Sequence, residues 1–413
     1  MHSQWYNVNA MSPTLFPFAI SAVCSFWKDV MSLVSNFWTR IVIFVESPDT
    51  HPSAISSQIL WARDLPLDVI VTTAPDGRCD VMAMATIMRT YINPHLHRMR
   101  GLCFDVKSSS CLPSFPRDFH VPAPKLMRLR LECMDDDGRN DEPERSTSMP
   151  MECQFPILTT LFIDGRNYYN ACSRGGAGWT DVVGRIESLM VSRYKPRPGE
   201  SLSSHAFTLP LMALENLRDL QILHVALSSA TQQPWLANVE PPLSLHPLNY
   251  LRLCGLANSQ AVAEILDLTT TVSEMDITRC ATALPMNGFG LGGCLELDSI
   301  DEKEDLVPLL CSWEGESLVV KKCLGFNDSI LEMMCEQMDG DFICATNMDH
   351  IDIVDCPNVS VEALKSLVNT LCRPSAEPRL EFIRVYGLVP HFSQEDLLWF
   401  ETNVEMFENW WCP

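Results

Sequence analysis

Residues 318–323 read Leu318-Val319-Val320-Lys321-Lys322-Cys323, and two close copies read Ile351-Asp352-Ile353-Val354-Asp355-Cys356 and Met275-Asp276-Ile277-Thr278-Arg279-Cys280. Each copy alternates apolar residues with others, which is the pattern of a short strand with one buried face. Each copy also places a cysteine three residues after the second apolar residue. An alternating strand that returns in this way predicts a chain built from copies of one supersecondary unit.

Similar strands recur every 20 to 35 residues along the chain. Marked by one apolar residue each, they lie at Ile41, Leu67, Leu102, Leu129, Leu161, Leu189, Leu223, Leu251, Met275, Leu295, Leu318, Ile351 and Ile383. Between strands the apolar spacing becomes helical, as at Val361, Leu364, Leu367, Val368 and Leu371. We therefore predict an α/β leucine-rich-repeat solenoid over residues 40–413, with parallel strands on the concave face and helices outside.

A doubly wound parallel sheet is the alternative fold, because it shares the alternation of strand and helix. Its strands are buried on both faces and read as continuous apolar runs. Here polar residues interleave with the apolar ones, at Arg128, Arg130, Tyr250, Arg252, Glu274 and Asp276. The interleaving favours the open solenoid.

Two stretches interrupt the repeat. The segment near 135–150 is acidic and free of aromatic residues, so it is expected to be a disordered loop. Glycine-rich and proline-rich stretches at 173–178 and 195–199 bracket the second interruption. We interpret the region near 165–204 as an irregular insertion around one poorly formed repeat.

Charge and cysteine content bear on the partners and the compartment. The net charge is −22, from 30 Lys and Arg against 52 Asp and Glu, so the chain has no electrostatic attraction for nucleic acid or for a membrane surface. The 17 cysteines are odd in number and several occupy repeat positions. We expect reduced, buried thiols that donate weakly to backbone carbonyls. No targeting segment is evident, and we expect a cytoplasmic or nuclear protein, or both.

The sequence offers no convergent set of catalytic residues. Gly288–Gly293 matches the dinucleotide fingerprint G-x-G-x-x-G, but the strand Cys294–Leu297 follows where the fingerprint needs a helix. Walker A, H-E-x-x-H, G-x-S-x-G and C-x-x-C are absent from the sequence. We therefore predict a protein that is not an enzyme and that uses no metal and no cofactor.

An amphipathic helix is predicted from Pro17 to Val34. Its apolar face carries Ile20, Val23, Trp27, Val30 and Val34, at steps of three and four residues. One interpretation is an end cap that covers the open core of the first repeat, since terminal units of solenoids need one.

The identities of these residues suggest a second interpretation. Val23-Cys24-Ser25-Phe26-Trp27-Lys28-Asp29-Val30, followed by Phe37-Trp38-Thr39-Arg40-Ile41, resembles the second half of an F-box. The remaining chain is similar to the F-box and leucine-rich-repeat proteins of fungi, and 323–328 and 355–360 resemble their cysteine-containing repeat subtype. The family's opening Leu-Pro segment does not precede Val23, so the resemblance implies an N-terminally incomplete F-box within residues 1–39.

The resemblance also implies a function. In that family the F-box docks on a Skp-type adaptor within a cullin ubiquitin ligase, while the repeats hold the protein to be ubiquitinated. Carried over, the adaptor-binding box contains Ile20, Val23, Cys24, Trp27 and Trp38. The chain would then be a non-catalytic substrate-recognition subunit. The alternative is a freestanding leucine-rich-repeat scaffold that has lost adaptor binding.

The predicted concave face changes sign along the chain. Arginines occupy it in earlier repeats, at Arg128, Arg130 and Arg252. Carboxylates occupy it later, at Glu274, Asp276, Glu296, Asp298 and Asp352. One interpretation is a solvated acidic face, and the other is an acidic groove for a basic segment of a protein substrate.

Overall fold

The computed structural model describes residues 18–45, 52–73, 80–138, 155–173, 184–228, 245–269, 271–282, 290–338, 341–342, 347–371, 380–388 and 391–410. The chain divides into two compact units, Met1–Lys195 and Pro196–Pro413. Both units are α/β, and their main strands are parallel. Residues 18–38 lie within the first unit.

Within the described residues of the first unit, strands that follow one another along the chain pair in parallel. The strands are β1 (Arg40–Val45), β2 (Leu67–Thr73), β3 (Met99–Ser108), β4 (Arg128–Asp135), β5 (Thr160–Asp164) and β6 (Ser188–Tyr194). The helices are α1 (Phe18–Ser21), α2 (Ser25–Ser32), α3 (Pro52–Trp61), α4 (Val81–Ile87) and α5 (Gly165–Ser173). A π-helical turn at Met88–Ile92 extends α4 into a 3₁₀-helix at Asn93–Arg98, and shorter 3₁₀-helices lie at Ser35–Trp38 and Ser109–Cys111.

The second unit repeats this arrangement and adds one small antiparallel hairpin. Its strands are β7 (Asp219–Val225), β8 (Leu248–Cys254), β9 (Thr271–Thr278), β10 (Gly290–Asp298), β11 (Ser317–Lys321), the hairpin β12 (Gln337–Met338) and β13 (Asp341–Phe342), β14 (His350–Val354), β15 (Phe382–Tyr386) and β16 (Met406–Trp410). Its helices are α6 (Ser204–Thr208), α7 (Ser259–Asp267), α8 (Val307–Cys311), α9 (Asp328–Met334), α10 (Val361–Leu371) and α11 (Gln394–Asn403).

One face of each unit's strands is buried, and the other, called here the open face, is half-exposed along most strands. Strand β11 shows the pattern, since Leu318 and Val320 are buried while Ser317, Val319 and Lys321 are partly exposed. A doubly wound sheet would bury both faces. The alternation and the sequential strand order contradict that alternative and are compatible with a solenoid-like repeat. The predicted face of α10 is confirmed, because the five residues predicted to form it are buried.

The strand markers from the sequence are largely in register. In the first unit one row of paired residues joins Ile41, Val69, Leu102, Leu129, Leu161 and Leu189. In the second unit the row joins Leu220, Leu251, Met275, Leu295, Leu318, Ile351, Ile383 and Phe407.

Three strand assignments need correction. In β2 the residue of the paired row is Val69 and not Leu67. Both residues fit the alternation, but the register of β2 shifts at Leu67. In β7 the residue of the paired row is Leu220 and not Leu223. His224 adopts a left-handed conformation (φ 56°), which ends the alternation early. The sequence prediction missed β16, whose inward positions hold one apolar residue, Phe407, followed by Asn409.

The region near 165–204, predicted as an irregular insertion, contains regular elements among its described residues. Helix α5 and strand β6 lie within it, and β6 pairs with β5 in regular register. Leu189, Val191 and Tyr194 are fully buried, and this burial outweighs the glycine and proline signals on either side. Residues 174–183 lie outside the described residues.

The start of the segment near 135–150 is ordered. Strand β4 ends at Asp135, and Asp136 is 4 % exposed. Its carboxylate is buried because Arg166 pairs with it at 3.1 Å, a long-range contact that composition does not reveal. Residues 139–150 lie outside the described residues.

The cysteines of the repeat occupy a shared turn. Four residues after the row residue, the backbone adopts a left-handed conformation, and the next side chain returns to the core. Cys323 follows Lys322 (φ 53°) in this way, and its Sγ lies 3.2 Å from the carbonyl oxygen of Lys321. Cys356 repeats the contact with Val354 at 3.4 Å. These contacts confirm the predicted weak hydrogen bonds, and burial raises the pKa of the Cys323 thiol to about 12.

The expectation of reduced cysteines holds in part. Among the described residues ten cysteines carry free thiols, including Cys280, Cys323 and Cys356. Cys111 and Cys311 are disulfide-bonded. Both lie at helix ends away from the strand turns, so the packing argument for repeat thiols does not extend to them.

Candidate partner-binding surfaces

The amino-terminal segment is not the single helix predicted from 17 to 34. It forms α1 and α2, which are separated by a turn in which Cys24 is extended (φ −166°). Because of this turn, residues spaced three and four apart before and after it do not lie on one face of a common helix. Along this segment the apolar series therefore does not form one buried face.

Trp38 anchors this segment to the first strand. Its side chain is 2 % exposed, its Nε1–H donates to the carbonyl oxygen of Met31 at 2.9 Å, and its ring lies 4.5 Å from that of Trp61. A side chain buried in this way has no surface to offer a partner. Of the five residues assigned to the F-box-like segment, Trp38 is therefore a core residue and not a contact residue.

The other four residues are accessible. Ile20, Val23, Cys24 and Trp27 are exposed. Three further apolar side chains of the same segment, Phe26, Leu33 and Val34, are exposed with them. Phe26 and Leu33 were missed because they lie off the predicted apolar face. We call Val23, Phe26, Trp27, Leu33 and Val34 the amino-terminal apolar group.

All five predicted acidic positions lie on the open face of the second unit. Glu274 and Asp276 on β9 pair in register with Cys294 and Glu296 on β10, where Asp298 follows. Asp352 lies on β14, and β11 separates it from β10. The structure therefore brings these carboxylates together on neighbouring strands, as the alternation predicted.

Three of these carboxylates are paired with cations of the same face. Asp276 binds Arg252 at 3.1 Å, Glu296 binds Lys321 at 2.8 Å, and Asp352 binds Arg384 at 3.3 Å. Burial is the main cause that raises the pKa of Asp276. The face remains acidic, but internal pairing makes its outward potential weaker than the bare sequence indicated.

The sequence prediction missed a cavity on the open face of the first unit. It has a volume of about 300 Å³ and follows β3 between β2 and β4. At one end Asp68 of β2 reaches Arg128 of β4 across Gly101 of β3, at 3.4 Å. A Cβ at Gly101 would lie 2.7 Å from the Asp68 carboxylate. A glycine at an outward strand position was the available sequence signal.

Gly101→Ala should therefore lower the free energy of unfolding of the first unit by about 1 kcal/mol, the low end of the usual cost of overpacking, because the Asp68 carboxylate must move away from its partners. Denaturant unfolding followed by circular dichroism measures the change. Asp68→Ser should relieve the clash, so the double variant should be less destabilised than the sum of the two single changes. An unchanged denaturation midpoint for Gly101→Ala would contradict the packing argument.

Across the described ranges, no three His, Cys, Asp or Glu side chains are grouped so that they could hold a metal ion. None of the helices described is both long and apolar enough to cross a membrane.

Comparison with family models, with curated proteins and with solved structures found no match to this chain.

Proposed function

We propose that this chain is a non-catalytic protein-binding subunit that recognises the substrate of an SCF-type (Skp-cullin-F-box) ubiquitin ligase. In this proposal the strand-and-helix units are leucine-rich repeats that hold the substrate on an open face. The amino-terminal helices act as an F-box-like segment that docks on a Skp-type adaptor and, through it, on the cullin.

The amino-terminal apolar group is the observation that carries the adaptor half of the proposal. Val23 and Leu33 are more than two-thirds exposed, and Trp27 is 44 % exposed beside Phe26. Soluble proteins seldom present several large apolar side chains on one short segment unless a partner covers them. Trp38 holds the segment on β1, so these side chains are presented from an anchored support.

The open faces support the substrate half. Their outward residues alternate with the core along each strand, so they can vary without disturbing the packing. In the second unit these residues form an acidic surface around Glu274, Asp276 and Glu296, which suits a basic segment of a substrate.

The test is capture of a purified Skp-type adaptor by the intact chain. Trp27→Ala should weaken adaptor binding by about tenfold or more, since aromatic anchors dominate interface energies. Because Trp27 is half-exposed, the thermal melt of this variant should stay close to that of the unchanged chain.

Leu398→Ala is the control, because Leu398 is an exposed apolar residue on α11, outside the amino-terminal apolar group. It should leave adaptor capture unchanged. If the folded, unchanged chain captures no adaptor, the ligase role is wrong. The open faces would then support the second candidate, a freestanding repeat scaffold that binds a protein partner.

A further inference from the structure

The cavity of the first unit is a trough cut along β3. The open-face residues of β3 at its floor are small, Gly101 and Cys103, while those of β2 and β4 on either side are larger. Adjacent strands lie about 4.8 Å apart, so the trough is about 10 Å wide. Its walls are formed by Ile70 and Thr72 on β2 and by Arg128 and Arg130 on β4, with Phe162 beyond.

The cations along the trough already have anionic partners. Arg128 and Arg100 both bind Asp68 at one end. Arg130 binds Glu132, and its guanidinium lies 5.6 Å from the centre of the Phe162 ring. On this wall, Arg130 is therefore a basic group that already lies between a carboxylate and an aromatic ring.

Asp105 differs from these carboxylates. It lies at the other end of the trough, half-buried, opposite Glu132 in the register of β3 and β4. In the part of the chain that the structure describes, its side chain makes neither a hydrogen bond nor an ion pair. Burial raises the pKa of Asp105, and the charge of Arg193 opposes the rise. A carboxylate withdrawn from water without a donor is costly, so a ligand that supplies a cation would be stabilised there.

We propose that this trough binds the side chain of a lysine or arginine presented by a protein partner, with its cationic end at Asp105. The methylene stem lies along Ile70 and Cys103, which offer it an apolar wall and floor. A ligand carboxylate would meet repulsion at Asp105, and a neutral side chain would bury it further without a donor. The net charge of −22 favours encounter with a basic partner.

The inference rests on the proposed role in partner recognition but not on the adaptor. The probe is a fluorescently labelled peptide of alternating serine and lysine, and its matched control carries Nε-acetyl-lysine, which keeps the length and removes the charge. Fluorescence anisotropy with the full chain measures both. The acetylated peptide should bind about tenfold or more weakly. Equal binding of the two peptides would overturn the proposal.

Asp105→Asn keeps the shape of the side chain and removes its charge, so it should weaken binding of the lysine peptide by about tenfold or more. Asp64→Asn, an exposed charge change outside the trough, should leave binding unchanged. Loss of binding in Glu274→Gln with retention in Asp105→Asn would assign the peptide to the second unit and overturn the proposal.

Two further readouts separate binding from folding. Asp105→Asn should not lower the melting temperature, because it removes a half-buried charge that accepts no hydrogen bond from the described residues. Cys103→Leu should fill the trough and abolish peptide binding with the Asp105 charge intact, and retained affinity would contradict the proposed path of the stem. If Nα-acetyl-lysine amide alone binds as tightly as the peptide, the ligand is a small amine and the protein partner is wrong.

Different experimental results would disprove this proposal and the ligase role. Asp105→Asn should still capture the Skp-type adaptor, and Trp27→Ala should still bind the lysine peptide. Peptide binding without adaptor capture would keep the trough and remove the ligase role, and the reverse result would remove the trough alone.

Discussion

Asp136→Ala is expected to lower the free energy of unfolding of the first unit by about 3 to 5 kcal/mol, the usual cost of removing one partner from a buried ion pair. Asp136 is 4 % exposed and Arg166 is 3 % exposed. The Asp136 carboxylate accepts from Arg166 at 3.1 Å, from the backbone N–H of Lys195 at 2.8 Å and from the Ser109 hydroxyl at 2.9 Å. The substitution therefore leaves several buried donors without this acceptor.

Chemical denaturation followed by circular dichroism measures this loss. The double variant Asp136→Leu with Arg166→Met should be less destabilised than Asp136→Ala, because it removes both charges and restores apolar volume. Lys195→Ala is the exposed control, since its own side-chain pair with Asp135 is fully solvated, and it should have no measurable effect. A loss below about 1 kcal/mol for Asp136→Ala would show that water replaces the carboxylate.

Trp38→Ala is expected to destabilise the first unit by about 3 to 5 kcal/mol, the range for truncation of a buried aromatic side chain. It removes the packing against Trp61 and the hydrogen bond to Met31. Trp38→Phe should cost less, because most of the ring volume remains. Thermal melts give the size of the effect, and hydrogen exchange in β1 should show where it acts.

Trp27→Ala is the natural comparison, because it makes the same change eleven positions earlier in the sequence. The half-exposed Trp27 ring should contribute little to stability, whereas adaptor capture should depend on it. If Trp27→Ala proves the more destabilising change, α2 packs through the face that its periodicity indicated. The assignment of Trp38 as the anchor would then be wrong.

Local periodicity in the sequence was sufficient to predict the repeating unit. The alternation around Leu318, Ile351 and Met275 predicted parallel strands with one buried face, and the cysteine after each predicted a buried thiol at the turn. These features depend on residues within one strand and its turn, so a few consecutive residues determine them. The strand around Leu295 follows the same rule, since its inward residues Leu295 and Leu297 are buried.

Contacts between distant residues required the tertiary structure. The Asp68–Arg128 pair crosses β3 and joins residues 60 positions apart, and Asp136 meets the backbone N–H of Lys195 across 59. Such pairs depend on strand register, and a shift of one residue moves every side chain to the other face. For the same reason, the sequence pattern alone could not show whether Leu220 or Leu223 lies in the paired row of β7. Burial separated Trp38 from Trp27 because only the packed chain determines which ring meets Trp61.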